Sequence, residues 1–178
     1  AHVRTAGARS KFGIDPSALD ELVERVAAAG ARVVGLHAHS GSGILSPEGW
    51  AHTAGFLAQV AERFPEVRTL DLGGGLGIVE KPGQSPLDLG AVDASLHAFK
   101  QTHPGLSLWL EPGRFLVAHA GVLLTRVTQI KRKGEIVYVG VDAGMNSLLR
   151  PALYGAHHTI VNLSKLDQTP TMIASVVG

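Results

Sequence analysis

Cysteine is absent from this 178-residue chain. Disulfides and thiolate-ligated metal sites are therefore excluded, and the redox compartment is left open. No apolar run reaches the roughly 18 residues that a membrane-crossing helix requires, and the opening residues lack the basic-then-apolar pattern of a leader. Charge of one sign is also scarce. A formal net charge of +1 gives no reason to invoke nucleic acid or an anionic membrane as a partner. What the chain does have is a hydrophobic fraction of 45% against 17% charged residues, enough for a packed core and unlike a disordered polymer. The length suits one domain or pieces of two. Ala1 in place of a start methionine, and a strand-like Thr171–Val177 running up to Gly178, lead us to expect an internal piece of a longer polypeptide.

The first two-thirds reads as helix and strand in alternation. Asp15-Pro16 is a helix start, an acid at the N-cap followed by proline in the first turn. Leu19, Leu22, Val23 and Val26 recur at helical spacing, and Gly30 is a C-terminal stop. A strand over Arg32–Leu36 follows. A second helix opens at Ser46-Pro47-Glu48, carries Trp50, Leu57, Val60, Ala61 and Phe64 on its apolar face, and ends before Pro65. A strand over Arg68–Leu72 leads into a glycine- and proline-rich loop, Gly73 to Pro86. A third helix presents Leu89, Val92, Leu96 and Phe99, and Pro104-Gly105 separates it from a strand over Leu106–Leu110. This alternation predicts a parallel α/β sheet, with nearly continuous apolar strands expected to be covered on both faces. Three strands cannot close a barrel. Beyond His119 the texture changes. Val122–Ile130 is rich in β-branched residues, Arg132-Lys133-Gly134 signals a turn, and Glu135–Val141 reads as a second strand. An antiparallel pair opening a β-rich domain is expected, with the boundary near Ala118 to Gly121.

Each of the three apolar strands ends in chemistry. Leu106–Leu110 closes on Glu111-Pro112-Gly113-Arg114, an anion acceptor, two turn residues and a cation. Val33–Leu36 runs into His37-Ala-His39-Ser-Gly41-Ser42, and Leu70–Leu72 into Gly73-Gly74-Gly75. Strand ends of this kind form the functional rim of α/β barrels, and their chemistry suits an anionic cofactor. Consecutive glycines let backbone N–H groups approach a phosphate because no Cβ intervenes. The dinucleotide fingerprint does not fit, since later required glycine positions hold Ile78 or Glu80. A simple flexible turn is the competing reading. His37 and His39 are open to two readings: a metal pair, or two rings on opposite faces of a strand with one entering the site. Glu111 and Arg114 read alternatively as a surface ion pair. Arg150 and Tyr154 supply a fork and a hydroxyl for a carboxylate, or a snorkelling cation and a packed ring. His157 and His158 show no evident partner, and Lys131-Arg132-Lys133 reads as a solvated turn.

Taken in order, Ser10–Gly13, Gly35–Ser42, Leu70–Gly75, Glu111–Arg114, Val141–Asn146 and Arg150-Pro-Ala-Leu-Tyr154 resemble diaminopimelate decarboxylases, and the likeness covers most of the chain. That family joins an alanine-racemase-like barrel to a β-domain and uses pyridoxal 5'-phosphate. The resemblance implies α/β architecture: the last strands and helices of a TIM-type (β/α)8 barrel over residues 1–118, then the start of a β-rich domain over 119–178. It implies cofactor contacts from His39, which would stack on the ring, and from Ser42, Gly73, Gly74, Gly75, Pro112, Gly113 and Arg114 around the phosphate, with Glu111 at the ring nitrogen. Arg114, Arg150 and Tyr154 would bind the substrate, and no metal is implied. The implied reaction is decarboxylation of meso-2,6-diaminopimelate to L-lysine, in a cytoplasmic homodimer with a shared active site. Lys11, Lys81, Lys100, Lys131, Lys133 and Lys165 do not match the family's cofactor lysine, which is expected upstream, so the 178 residues alone are expected to be inactive. Ser40 and Gly43 depart from the usual apolar residue and glutamine, and Gly41-Ser-Gly43 is closer to ornithine-type enzymes. An ornithine or arginine decarboxylase, a non-catalytic decarboxylase-like binding protein, and a metal-dependent barrel hydrolase using His37 and His39 are the alternatives.

Overall fold

A computed structural model describes residues 10–178, so positions 1–9 of the expected first domain lie outside the described residues. Two compact units emerge. One runs to Val79 and resumes over Gly83–Ala120; the other comprises Gly121–Gly178 together with the short segment Glu80–Pro82.

In the first unit, the Asp15 carboxylate accepts the Ser17 N–H at 2.9 Å. The chain turns through a single 3-10 turn, Pro16–Ala18, into α1 (Leu19–Ala28). Gly30 follows at φ 62°, the left-handed conformation in which glycine ends helices without a Cβ penalty. β1 (Gly35–His37), α2 (Gly49–Ala61), β2 (Thr69–Asp71), α3 (Leu89–Thr102) and β3 (Ser107–Trp109) come next, then a short α4 (Gly113–Val117). The strands pair in parallel in the order β1-β2-β3, with His37, Asp71 and Trp109 in one register row. The α/β alternation is therefore as the sequence predicts.

Several details differ. β1 is displaced towards the histidines, beginning at Gly35 and not at Arg32. α4 starts at Gly113, where the sequence predicts no helix. Only the middle strand is covered as expected: Leu70 and Leu72 are 0% and 1% exposed, whereas Trp109 is 61% exposed. β1 and β3 each have one strand neighbour, so their outward residues lack the second partner that buries β2. Leu89 is exposed because it starts α3 ahead of the turn that packs, while Val92 is buried and Leu96 and Phe99 lean on the core. That core is formed by Trp50, Ala54, Leu57 and Ala58 of α2 against Leu70, Leu72 and Leu76, with Phe64 and Val67 closing one end. Burying a side chain such as Leu70 contributes about 1.5–3 kcal/mol.

The second unit is built on β4 (Val127–Lys133) and β5 (Ile136–Val141), antiparallel about Gly134 at φ 58°; β6 (Ser175–Val177) adds to β5 in parallel. The antiparallel pair is as predicted. Its first strand begins at Val127, however, because Val122–Leu124 have no strand partner among the described residues. Lys131–Lys133 belong to β4 and not to the turn. Arg150–Tyr154 form α5, capped by Gly155 at φ 62°, a helix that the sequence reading did not predict. No helix among the described residues is long and apolar enough to cross a membrane.

Candidate functional site at the strand ends

Parallel pairing brings the C-terminal ends of β1, β2 and β3 side by side, and the polar motifs follow those ends directly. Glu111 N–H donates to the Gly73 carbonyl at 2.9 Å, which extends the ladder past β3 and holds Glu-Pro-Gly-Arg beside the triglycine turn. The same turn is tied to the segment after β1, with Ile44 N–H donating to the Gly75 carbonyl at 2.8 Å. A Cβ on Gly74 would collide with the Glu111 carbonyl oxygen, and one on Gly75 with the Gly41 carbonyl oxygen. Glycine is thus required here by close backbone approach. Gly73 and Gly75 additionally stand at φ 68° and 86°.

Two amides of this turn have partners within the protein. Gly73 N–H donates to Asp71 Oδ1 at 2.9 Å, and Gly74 N–H to His39 Nδ1 at 3.2 Å. As an acceptor, Nδ1 is unprotonated, so a neutral His39 carries its proton on Nε2. The bond also fixes the plane of the ring. On the opposite side, the Trp50 indole N–H donates to the Gly74 carbonyl at 3.1 Å from within the core. Gly74 is therefore held through both its N–H and its carbonyl.

His37 and His39 take different partners. His37 Nε2 lies 3.3 Å from Glu111 Oε2. The acidic neighbours of His37 are Asp71 and Glu111, with one ligand atom from each of the three side chains within 4.8 Å of the others. The grouping of His37 with His39 as a metal pair is therefore not what the geometry brings together. Arg114 likewise faces Ser42: its guanidinium donates to Ser42 Oγ at 2.8 Å. Ser40 Oγ and Thr53 Oγ1, 2.6 Å apart, tie the glycine-serine segment to α2.

His39, Ser42, Gly73–Gly75, Glu111, Pro112, Gly113 and Arg114 all belong to this first unit. Arg150 and Tyr154 belong to the second. There the Arg150 guanidinium meets Glu80 Oε1 at 3.1 Å, half-buried, and Tyr154 is exposed. His157 and His158 do have partners, contrary to the sequence reading: His157 Nδ1 is 2.7 Å from the Glu80 carbonyl and His158 Nε2 is 3.5 Å from Arg150. Glu80 went unnoticed because a glutamate inside a loop carries no local signature. Trp50 and Asp71 were equally missed as site supports. Their one available signal was polarity in an apolar setting: an indole donor on a buried helix face, and a carboxylate inside the apolar run Leu70–Leu72.

A parallel α/β sheet with its polar side chains gathered at the strand C-termini defines a class, the α/β proteins whose sites lie at that end of the sheet. Residues 1–118 match the family model described as pyridoxal-dependent decarboxylase, pyridoxal binding domain, and the chain belongs to that family. The family's cofactor is pyridoxal 5'-phosphate, and its fold is a TIM-type barrel. Among similar proteins, diaminopimelate decarboxylase of Methanothermobacter thermautotrophicus is 38% identical over 188 residues, which cover 99% of this chain and 44% of that protein. A crystal structure of diaminopimelate decarboxylase matches with a TM-score of 0.74 at 34% identity, over 87% of this chain and 38% of that one. Another, from Helicobacter pylori and complexed with L-lysine, has a TM-score of 0.69 at 30% identity, over 85% of this chain and 39% of that one. The chain spans less than half the length of the curated relatives it matches.

Proposed function

We propose that these residues are part of a pyridoxal-phosphate-dependent decarboxylase that converts meso-2,6-diaminopimelate to L-lysine and CO2, as a cytoplasmic homodimer with a shared active site. Residues up to 118 would form the last part of its barrel, and 119–178 the start of its β-domain. The cofactor lysine would lie outside this stretch. The observation that carries the reading is the pairing of Glu111 with the triglycine turn, where the bare face of Gly74 meets the Glu111 backbone. The relatives named above, all diaminopimelate decarboxylases, support the choice of substrate.

The donor set fits the cofactor. Ser42 and Arg114 form a hydroxyl–guanidinium pair suited to a phosphate, and they stand beside the triglycine turn, which the Glu111 and Gly41 backbone packs against. The backbone of Pro112 and Gly113 lies alongside them in sequence. His39, held in plane by Gly74, would face the ring. Glu111 would accept the ring-nitrogen hydrogen bond and favour the protonated form, as a neighbouring carboxylate does for a cation. When bound, the cofactor supplies an electron sink for the charge left as CO2 departs. Arg114, Arg150 and Tyr154 would be the contacts to the distal amino-acid group, since a guanidinium and a hydroxyl both donate to its carboxylate.

Glu111→Ala in the full-length protein is the test. Turnover should fall at least about a hundredfold, the scale of losing one charge-stabilising group, while cofactor content is largely kept. Unchanged turnover would remove Glu111 from the ring-nitrogen role. Parallel assays with ornithine and arginine, in the parent and in Arg150→Ala, separate the related decarboxylases. A protein inactive on all three amino acids would point to the binding-protein alternative.

A further inference from the structure

We propose that His37 is a positioning residue that orients the Glu111 carboxylate towards the cofactor's ring nitrogen. The inference rests on the pyridoxal-phosphate reading above and extends it to a residue that reading leaves without a task.

The arrangement follows from strand register. His37 and Asp71 are paired partners at the ends of β1 and β2, and Asp71 is paired with Trp109 of β3. Glu111 stands two residues beyond Trp109, on the same side of an extended chain. His37 Nε2 reaches Glu111 Oε2 at 3.3 Å. An ionised carboxylate only accepts hydrogen bonds, so the contact requires the proton on Nε2 of His37. The neighbouring acid, Asp71, already receives the Gly73 N–H on Oδ1. Donation from His37 occupies one oxygen of Glu111 and leaves Oε1 for another donor.

A structural role alone explains this contact poorly. The side chains of His37 and Glu111 are 52% and 57% exposed, and exposed pairs of this kind contribute little to stability. A long carboxylate side chain more than half in water otherwise samples several rotamers. Anchoring one of its oxygens removes that freedom at the position where a fixed acceptor is needed, the kind of support that orients groups acting directly on a ligand.

The test uses the full-length holoenzyme in four forms: the parent, His37→Ala, His37→Gln and Glu111→Gln. Glutamine at 37 retains an N–H donor at similar reach; alanine retains none. Three readouts are taken: thermal midpoint, kcat per bound cofactor, and the 15N shift of the ring nitrogen in 15N-labelled pyridoxal phosphate. The expected result is a thermal midpoint for His37→Ala close to the parent's, with kcat lower by roughly tenfold to a hundredfold, the weight of a hydrogen bond to a charged group. Its ring-nitrogen shift should move towards that of Glu111→Gln, and His37→Gln should recover most of both losses. If His37→Ala matches the parent in kcat and nitrogen shift while Glu111→Gln does not, the positioning role is wrong and the ring-nitrogen reading stands. If Glu111→Gln itself matches the parent, the ring-nitrogen reading fails first. If glutamine does no better than alanine, donation from position 37 is not what matters and the proposal falls.

Discussion

Leu70 of β2 is wholly hidden, whereas Ile130 of β4 is 67% exposed, although both are branched apolar residues in the middle of a strand. The contrast runs through the two units. In the α/β unit, α2 and its neighbours lay an apolar face over β2, and Trp50, Leu57, Leu70 and Leu72 close into one cluster. In the β unit, Val137 is the one buried apolar residue among those described, while Val122, Leu124, Ile160 and Ile173 lie open. A sheet becomes a core only when a second layer packs on it, and among the described residues of its unit the β4-β5-β6 sheet has backbone pairing without such a layer. Hydrogen-bonded strands are therefore not equivalent to burial. The chemistry-bearing strand ends sit on the unit that has the packed core.

The sharpest way to break this comparison is a matched pair of truncations. Leu70→Ala should cost about 2–5 kcal/mol, the range for emptying a packed leucine site. Ile173→Ala, at a position 95% exposed, should stay within about 0.5 kcal/mol. Urea unfolding of this chain measures both, and equal costs would end the distinction between the units.

A smaller effect links core to site. Trp50→Phe keeps the ring but removes the donor to the Gly74 carbonyl. Leaving that carbonyl unpaired should cost about 1–3 kcal/mol, and the backbone amide signals of Gly73 to Gly75 should shift with it. A loss of stability without movement of those signals would show that Trp50 serves the core alone.

The smallest expected effect lies in the β unit. Hydrogen bonds, first from the Thr125 hydroxyl and then from the Arg126 N–H, hold the Asp142 carboxyl below its ordinary value of 3.8. A depressed folded-state pKa stabilises above the unfolded value, and that contribution is lost as pH falls through the folded one. Thr125→Val should move the Asp142 titration upward, towards 3.8, in carboxyl-detected NMR. No movement would show that the Thr125 contact at 2.6 Å does not hold this acid.

Local chemistry made much of the fold legible. Asp15-Pro16, Gly30 and Gly134 mark turns and helix ends through backbone preferences that act within a few residues. Helical spacing revealed α1 to α3, and the change of texture beyond His119 revealed the antiparallel pair. The motifs at the strand ends were likewise visible, because glycines, histidines and a proline-flanked charge pair stand out against apolar runs. The exposure of Trp109, the helix at Arg150–Tyr154 and the start of β4 at Val127 were not visible. Each depends on which neighbours reach a residue, and hydrophobicity alone does not contain that information.

The sequence by itself determined the alternation of elements, the positions needing glycine, and the residue types at each strand end, since these follow from conformational preference and side-chain chemistry along the chain. Only the tertiary structure decided that His37 turns to Glu111, that His39 is held by Gly74, that Ser42 meets Arg114, and that Trp50 supports the glycine turn. Those pairs span 24 to 74 residues of chain. They exist because parallel pairing sets the strand ends side by side, a fact of register that no local stretch of sequence encodes.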